Sequence, residues 1–578
     1  MIDRGRIRQR DLPSAADSLP DELHPVSRRV LLARGIREQA ELGLNLQGLH
    51  PPAGLRGLET AAGLLAEATL KDQSVLIVGD FDADGATGTA LAMLSLRAMG
   101  CRRLSFRVPN RFEFGYGLTV PLVETLADNP PDLLVTVDSG IACLGGVQRA
   151  RQLGCRVVVT DHHLPGDKLP AAHAIVNPNG PEDAFPSKAL AGVGVMFYVL
   201  SAVRRVLNER GWFNRKRPAP NLAHLLDLVA LGTVADLVPL DRNNRILVRQ
   251  GLERVRRGLC RPGLMALLRH GGRDYRYASA ADLGFVVGPR LNAAGRLEDM
   301  SAGIRCLLSD DADEATELAG QLDELNRQRQ DLQEQMQAEA MGQVEGLVES
   351  LGAGELPLAL CLFDASWHQG IVGLVASRVK DALHRPVIAF APEAEGSDLL
   401  KGSARSVRGL HIRDVLAWID AHHPGLLQAF GGHAMAAGLT LQRGGLQRFG
   451  EALEEAVEVI LDGSELTSEV LTDGGVDGPE LGLPLAAELE ELGPWGQRFP
   501  EPLFDGTFEV LEQRVVGGAH LKMVVRSVDG GGPVDAIAFR CSPENVESGR
   551  ALRMLYRLAV NRWRGSASCQ LVVEQIVH

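Results

Sequence analysis

The chain of 578 residues lacks paired cysteines, long apolar runs and an excess of positive charge. Its eight cysteines are scattered singly, and no two of them form a C-x-x-C pair, so the sequence predicts neither a zinc site nor a disulfide framework. No stretch reaches the roughly 18 uncharged apolar residues of a membrane span, and no apolar segment follows the basic N-terminus. We therefore expect a cytoplasmic protein with no membrane contact.

The charge balance restricts the class of partner. The formal net charge is −13, which argues against a surface that binds nucleic acid everywhere but permits a local basic groove. A hydrophobic fraction of 45% with 23% charged residues is typical of globular proteins, and the length allows several domains, each with its own core.

Three segments in the first half of the chain share one pattern. SVLIVGD, DLLVTVD and CRVVVTD are β-branched apolar runs of strand length, and each ends at an aspartate before a plausible helix. This pattern predicts a parallel α/β sheet, in which ligands bind beyond the carboxyl ends of the strands. We expect one crevice to collect the polar residues that follow these strands: Asp80, Asp82, Asp84, Asp138, Asp161, His162 and His163.

A fourth acidic segment, LLDLVALGTVADLVPL, is helix-like, and we expect it to break at Gly232 and to present Asp236 on a turn. Buried carboxylates repel one another, and divalent cations neutralise them most simply. Oxygen ligands suit Mg²⁺ or Mn²⁺, and an imidazole favours Mn²⁺. The candidate ligands outnumber the needs of one ion, so the sequence predicts two cations suited to in-line displacement at phosphorus: Asp80, Asp82, Asp84, Asp138, His162, His163 and Asp236.

The cluster Asp80–Asp84 has two other interpretations. An EF-hand loop would need a glutamate at its twelfth position, which is Leu91 in this chain. An isolated Asp-x-Asp is more often a turn or a helix cap. Three acidic strand ends in one sheet favour a metal site over both.

The rest of the chain predicts further domains. Apolar spacing from about Asp310 to Ser350 indicates one long helix, and Arg329 within the apolar stripe argues against a coiled-coil dimer. LPLALCLFD and PVIAFA then predict a second α/β domain, and alternating strands near the C-terminus predict a small barrel. The expected boundaries are an N-terminal segment (1–50), a parallel-sheet domain (51–305), the connecting helix (306–350), the second α/β domain (351–462) and the barrel (463–578).

The segments DFDADG, VDSG, TDHH and GTVADLVPL resemble the four motifs of the DHH phosphoesterase superfamily. Around them, PNRFEFGYGL, GPRLNAAGR, SWHQGIVGLVASR, KGSARS and FGGHAMAAGL resemble its bacterial single-strand-specific exonuclease branch, in order from Leu44 to the C-terminus. Many small-substrate members have a histidine where this chain has Val78, which favours the nuclease branch. The resemblance implies a DHH domain and a DHH-associated domain joined by a long helix, followed by an OB-like nucleic-acid-binding barrel.

The resemblance also implies roles for individual residues. The residues that match the family's metal ligands are Asp82, Asp84, Asp138, His162 and Asp236. Asp80 and His163 lie nearby as ligands or positioning groups. His433 is expected to belong to the active site. Expected substrate contacts are Arg111, Tyr116, Arg290, Arg296 and Trp367, together with a 5′-phosphate pocket of Ser403, Arg405 and Ser406. The alternatives are core packing for the aromatic rings, solvation for the arginines and turn capping for His433.

The implied activity is 5′-to-3′ exonucleolytic digestion of single-stranded DNA by two-metal hydrolysis, which releases 5′-mononucleotides. We expect a monomer, and the family implies action in DNA recombination, DNA repair and mismatch repair beside single-strand-binding protein and a helicase. The alternatives are a phosphodiesterase for short oligonucleotides or cyclic dinucleotides, a pyrophosphatase, and a non-catalytic nucleic-acid-binding scaffold. A scaffold would be expected to have lost several metal ligands, and none is missing here.

Overall fold

The computed structural model describes residues 6–14, 16–111, 113–351, 357–394, 396–461, 466, 469–541, 546, 549–563 and 565–577. They form two compact units. We call Gln9–Asn326 with Thr472–His578 the larger unit, and Arg327–Leu471 with the residues before Gln9 the smaller unit. No helix of the described residues is long and apolar enough to cross a membrane.

The predicted combination of two α/β domains, a long helix and a barrel is confirmed. The helices α1 to α17 are Pro25–Leu32, Leu58–Leu70, Ala83–Met99, Val120–Glu124, Leu144–Gln152, Gly192–Glu209, Leu226–Ala235, Arg242–Arg256, Pro262–His270, Ala280–Asp282, Gly288–Leu297, Ser301–Leu308, Ala312–Leu351, Val372–Leu383, Ile412–His422, Leu446–Leu461 and Leu483–Glu491. The strands β1 to β17 are Arg6–Gln9, Val75–Gly79, Leu104–Arg107, Leu133–Val137, Arg156–Thr160, Ala174–Val176, Leu360–Phe363, Val387–Pro392, Leu399–Arg405, Leu427–Gly432, Ala436–Gln442, Glu469–Thr472, Phe504–Val516, His520–Ser527, Val534–Ala538, Ala551–Trp563 and Ser566–Val577.

The larger unit contains a five-stranded sheet in the order β3-β2-β4-β5-β6, and all neighbouring pairs are parallel. Alternate residues of each strand enter different cores. Ile77 and Val135 pack in the core that includes residues of α2, α3 and α6, whereas Leu76 and Leu134 pack on the opposite side. Because both faces are covered, the strands are apolar throughout rather than alternating.

The register of the sheet brings the three acidic strand ends together. Gly79 at the end of β2 pairs with Val137 at the end of β4. Val137 in turn pairs with Thr160 at the end of β5. Each of these strands is followed at once by an aspartate, so Asp80, Asp138 and Asp161 leave the same edge of the sheet on neighbouring strands.

Helix α7 does not break at Gly232, so that prediction was wrong. The helix runs from Leu226 to Ala235, and Asp236 follows its last residue. A Cβ atom at Gly232 would lie 2.2 Å from Oγ1 of Thr87 and 2.9 Å from Oδ1 of Asp84. The glycine therefore allows α7 to pack closely against α3 rather than ending the helix.

The turn after β2 is short. Helix α3 begins at Ala83, and Asp82 is its N-cap residue. Oδ1 of Asp82 accepts a hydrogen bond of 2.9 Å from the backbone N–H of Gly85. Capping and metal binding are thus compatible roles, because the cap uses one oxygen of the carboxylate.

The smaller unit contains a five-stranded mixed sheet in the order β10-β11-β9-β8-β7. Its core includes Phe390 of β8, Ile419 of α15 and Phe449 of α16. The predicted long helix is confirmed as α13, and the division between the two units falls within it, after Asn326.

The C-terminal strands form a closed barrel in the order β13-β14-β15-β17-β16. The N-terminal helix α1 contributes Val26 and Val30 to the barrel core. Beyond α1, Arg34 donates hydrogen bonds of 2.7 and 3.0 Å to the two carboxylate oxygens of Asp473. The two side chains are 1% and 0% exposed, so this is a buried bidentate ion pair between distant parts of the chain.

We predict that Arg34→Met lowers the free energy of unfolding by about 3 to 5 kcal/mol, because it removes the bidentate partner of the buried Asp473 carboxylate and leaves only Arg10, whose Nε lies 3.8 Å from Oδ1. Arg102→Met is the matched control, since the Arg102–Asp72 pair has side chains that are 77% and 41% exposed. The control should change the stability by about 1 kcal/mol or less. Urea unfolding followed by tryptophan fluorescence measures both, and equal effects would contradict a structural role for the buried pair.

Candidate metal centre

Carboxylate and imidazole groups converge beyond the carboxyl edge of the parallel sheet. Three groups of side chains each offer ligand atoms within 4.8 Å of one another: Asp138 with His162 and His163, Asp84 with His162 and Asp236, and Asp80 with Asp82 and Asp138. Asp138 and His162 each belong to two groups. The residues that the sequence predicted as ligands are therefore brought together, and overlapping groups of this kind could hold more than one cation.

The hydrogen bonding of these groups fits a cation. Asp138 is 1% exposed, and neither of its carboxylate oxygens makes a hydrogen bond within the described residues. The same holds for Oδ1 of Asp80 and Oδ2 of Asp236. Nε2 of His162 lies 3.1 Å from Oδ1 of Asp138 and 3.4 Å from Oδ2 of Asp236. Buried carboxylate oxygens without donors suit Mn²⁺ and Mg²⁺ alike, and the nearby imidazole nitrogen favours Mn²⁺.

The electrostatics of the site point the same way. Burial, and then the charge of Asp82, raises the pKa of Asp84 to about 7 and the pKa of Asp80 well above its ordinary value. Burial, and then the charge of Asp84, raises the pKa of Asp138 and of Asp236 well above the usual range. Without a cation these carboxyl groups bind protons more strongly than a free aspartate does, so a cation must compete with protons for them.

Asp84 is held by the start of helix α6. Its Oδ2 accepts a hydrogen bond of 2.6 Å from the N–H of Gly192, and its Oδ1 accepts one of 2.9 Å from Val193. A Cβ atom at Gly192 would lie 2.6 Å from Cβ of Asp138. Glycine at this position therefore lets the positive end of the helix approach two candidate ligands, a role that the sequence analysis missed.

Asp161 stabilises the loop that contains His162 and His163 rather than binding a cation. One carboxylate oxygen accepts the N–H of Ile141 at 2.9 Å, and the other accepts the backbone N–H groups of His162 and His163. Nδ1 of His163 also lies 2.8 Å from Oδ1 of Asp161. Burial alone would raise the pKa of Asp161, but the hydrogen bonds from His163 and Ile141 bring it below its ordinary value. Asp161 therefore orients the two histidines.

Two asparagines that the sequence analysis missed hold the same loop. Nδ2 of Asn179 donates to the carbonyl oxygen of His162 at 2.6 Å, and Nδ2 of Asn177 donates to that of His163 at 2.9 Å. Both follow strand β6, the next strand in the sheet. The segment VNPN places both asparagines just after a strand, and this position is the sequence signal by which they could have been identified.

Arg111 and Tyr116 lie beside the cluster, as predicted for groups that contact substrate. The guanidinium of Arg111 lies over the ring of Phe81 at 4.4 Å. The hydroxyl of Tyr116 donates to the carbonyl oxygen of Asp138 at 3.2 Å and lies 3.4 Å from Nδ1 of His163. The Tyr116 side chain is 44% exposed, so its ring is accessible at the edge of the site. Their contact with substrate stays a prediction.

The segment GPRLNAAGR forms helix α11 and packs next to the cluster. The guanidinium of Arg290 forms an ion pair of 2.8 Å with Asp323 and donates to the carbonyl oxygen of Val286 at 2.7 Å. Arg296 lies in the last turn of the same helix. The predicted contacts of both arginines with DNA stay predictions, and Arg290 already has a partner in the protein.

The predicted 5′-phosphate residues lie on strand β9 of the smaller unit and just after it. NH1 of Arg405 donates to Oγ of Ser403 at 2.9 Å. A Cβ atom at Gly373, in the first turn of α14, would lie 2.7 Å from NH2 of Arg405 and 2.8 Å from Oγ of Ser403. No ion pair of Arg405 is found among the described residues, and burial lowers its pKa. Oγ of Ser406 instead donates to the carbonyl oxygen of Leu410 at 2.8 Å.

Two further predicted residues of the smaller unit differ in exposure. Trp367 is 3% exposed, and its Nε1 donates to Glu339 at 2.8 Å. This burial favours a packing role, although base stacking by Trp367 stays a prediction. His433 is exposed between β10 and β11, where its N–H donates to the carbonyl oxygen of Ala436 at 2.8 Å. The active-site role of His433 stays a prediction.

Comparisons with known proteins agree with the architecture. Three families match the chain: "DHH family, N-terminal domain" over residues 74–233, "DHHA1 domain" over 355–462 and "RecJ OB domain" over 472–575. The single-stranded-DNA-specific exonuclease RecJ of Escherichia coli (strain K12) is 49% identical over 576 residues, which cover 99% of each chain.

Solved structures of RecJ from Thermus thermophilus are also similar. The complex with Mn²⁺ is 30% identical and has a TM-score of 0.79. The match covers 99% of this chain and 80% of that one. The complex with Mg²⁺ is 29% identical, with a TM-score of 0.73 and coverage of 99% and 79%. Thermus RecJ therefore binds either cation.

We predict that Mn²⁺ binding releases more protons at pH 6 than at pH 8. The pKa of Asp84 in the metal-free protein is about 7, so this carboxyl is mostly protonated at pH 6 and mostly ionised at pH 8. Because the cation binds the ionised form, its affinity should fall as the pH falls between these values. Titration calorimetry in buffers of different ionisation enthalpy measures both the affinity and the number of protons released.

The same shift predicts the stability of the EDTA-treated protein. The folded-state pKa of Asp84 lies above its unfolded value of about 4, so the contribution of this group to stability is lost as the pH rises through 7. Added Mn²⁺ should therefore stabilise the protein more at pH 8 than at pH 6. Equal proton release and equal stabilisation at the two pH values would contradict the assignment of Asp84 to the metal centre.

Proposed function

The chain belongs to the RecJ family of single-stranded-DNA-specific exonucleases, and on this premise we propose that it digests single-stranded DNA from the 5′ end with two divalent cations. The products would be 5′-mononucleotides. The observation that carries this proposal is the register of the parallel sheet, which places acidic residues from three neighbouring strands at one edge. Asp236 joins them from the end of α7.

The residues that would hold the cations follow from the geometry. Asp138 takes part in two ligand groups and has two carboxylate oxygens, so it could serve both cations, whereas the single lone pair on Nε2 of His162 could serve only one of them. Asp84 and Asp236 would complete one site with His162, and Asp80 and Asp82 would complete the other with Asp138. When bound, such cations would activate water and balance the charge that develops on the scissile phosphate.

The protein's own residues would prepare the site for this reaction. Nδ1 of His163 is hydrogen-bonded to Asp161, so Nε2 is the nitrogen that could donate a hydrogen bond to a phosphate oxygen. The hydroxyl of Tyr116, 3.4 Å from the same imidazole, restricts the ring further. Because the hydrogen bonds of Asp161 are made before substrate arrives, little reorganisation is needed during the reaction.

The proposed 5′ polarity depends on the smaller unit. Arg405 and Ser403 lie over Gly373 at the start of α14, where backbone N–H groups and the helix dipole favour an anion. A terminal phosphate carries more charge than an internal one, so an arginine without an ion pair among the described residues could select it. We therefore propose that these groups bind the 5′-phosphate.

The alternative activities have less support. The match to RecJ extends over 99% of both chains and includes the barrel, which an enzyme for cyclic dinucleotides or pyrophosphate has no evident need for. A non-catalytic scaffold is disfavoured because every predicted metal ligand is present in the converging groups. As the family suggests, we further propose a cytoplasmic monomer that works in recombination and mismatch repair with single-strand-binding protein and a helicase.

The metal assignment is tested by Asp138→Ala. We expect digestion of single-stranded DNA with Mn²⁺ or Mg²⁺ to fall by at least about 100-fold, because the change removes a ligand shared by two groups. The matched control is Asp132→Ala, since Asp132 precedes strand β4 just as Asp138 follows it. An Asp138→Ala variant with undiminished activity would overturn the assignment.

The polarity is tested by Arg405→Ala with end-labelled strands that carry either a 5′-phosphate or a 5′-hydroxyl. We expect KM for the phosphorylated strand to rise about 10-fold to 100-fold, because a charge-assisted hydrogen bond is lost, with a smaller change for the hydroxyl strand. Arg408→Ala, three residues further along with a 74% exposed side chain, serves as the control. Release of label from the 3′ end first would refute the proposed direction.

A further inference from the structure

Helix α11 contacts the turn between β2 and α3 and the start of α3, a segment that carries the three candidate metal ligands Asp80, Asp82 and Asp84. Oδ1 of Asn292 accepts a hydrogen bond of 2.8 Å from the backbone N–H of Ala83. Ala83 lies between Asp82 and Asp84 in the sequence. One side-chain amide of α11 is therefore bonded to the residue that separates two candidate ligands.

A second residue of α11 packs closely against the same turn. A Cβ atom at Gly295 would lie only 1.8 Å from the carbonyl oxygen of Phe81. Gly295 and Asn292 are three residues apart, so they lie on the same face of the helix. The contacts of α11 with the turn thus extend over Phe81 and Ala83, on both sides of Asp82.

The hydrogen bond from Ala83 matters because the first N–H groups of a helix have no partner within the helix. Asp82 satisfies the N–H of Gly85 but leaves that of Ala83. Asn292 provides the missing acceptor from outside the helix. Without it, the turn could rotate the Asp82 and Asp84 side chains away from their present separation to reach another acceptor.

Helix α11 is itself anchored on its other side. Arg290 donates from Nε and NH2 to Oδ1 of Asp323 at 2.9 and 2.8 Å, and both side chains are largely buried. Asp323 belongs to the part of α13 that lies in the larger unit. The position of Asn292 is therefore held by an ion pair within the same unit.

We infer that Asn292 is a positioning residue that sets the metal affinity of the centre through the N–H of Ala83, with Gly295 allowing the close approach. The inference rests on the proposed metal-dependent nuclease function. The competing possibility is that Asn292 contacts the DNA backbone, as predicted for its neighbours Arg290 and Arg296. The two roles differ in what they change, because a positioning residue affects Mn²⁺ binding in the absence of DNA.

The experiment compares Asn292→Ala, Asn292→Asp and the wild-type chain by calorimetric titration with Mn²⁺ alone. We expect Asn292→Ala to weaken Mn²⁺ binding by about 10-fold to 100-fold, the usual effect of removing a group that orients a ligand. In activity assays the half-saturating Mn²⁺ concentration should rise in parallel, while KM for DNA at saturating Mn²⁺ stays unchanged. Asn292→Asp keeps an acceptor for Ala83 and should bind Mn²⁺ more tightly than Asn292→Ala.

Two further variants complete the design. Gly295→Ala should also weaken Mn²⁺ binding, because its methyl group would displace the Phe81 carbonyl. Asn208→Ala, at an exposed position of α6, is the matched control and should bind Mn²⁺ like the wild-type chain. Thermal unfolding in EDTA checks that each variant is folded.

The outcomes separate the hypotheses. Unchanged Mn²⁺ binding in Asn292→Ala, with or without a higher KM for DNA, would overturn the inference, and the higher KM would indicate a DNA contact. Equal binding by Asn292→Ala and Asn292→Asp would also count against a role for the Ala83 hydrogen bond. Weaker Mn²⁺ binding in Asn292→Ala, combined with a wild-type chain that does not digest DNA, would sustain the inference and reject the proposed function.

Discussion

Repulsion among buried carboxylates is the constraint on which the larger unit depends. Parallel strands end at one edge of their sheet, and here three neighbouring strands are followed by aspartates that are 3% exposed or less. Such a cluster is stable only if protons, hydrogen-bond donors or cations compensate the charge. Three features contribute to compensating this charge: the start of α6, the loop that contains the two histidines and the contacts of α7.

The hydrogen bonds distinguish the roles of residues that look alike in the sequence. Both oxygens of Asp161 are occupied by N–H groups, so this aspartate organises the loop. Neither oxygen of Asp138 has a donor among the described residues, so its charge is available to a cation. Asp84 combines N–H donors from α6 with membership of a ligand group. Three aspartates at the carboxyl edge of one sheet thus differ in function because their backbone surroundings differ.

The sequence predicts features that depend on local patterns and misses those that depend on distant contacts. Apolar runs that end at aspartate were sufficient to predict the sheet and its acidic edge, because strand periodicity and burial are local properties. Gly232 was misread as a helix break, since its small size is needed for contacts with distant residues such as Thr87 and Asp84 on another helix. Asn292 was overlooked for a similar reason. Its partner, Ala83, lies 209 residues away, and no local pattern indicates that pair.

The buried pair of Arg34 and Asp473 joins positions that are 439 residues apart in the chain. Because α1 packs into the core of a barrel formed by the last strands, its apolar face has no partner while the intervening residues are being synthesised. The parallel sheet, whose contacts are closer in sequence, can form earlier. The core that α1 shares with the barrel can therefore be completed only after strands β13 to β17 have been synthesised, so a chain truncated before those strands would leave an apolar face of α1 exposed.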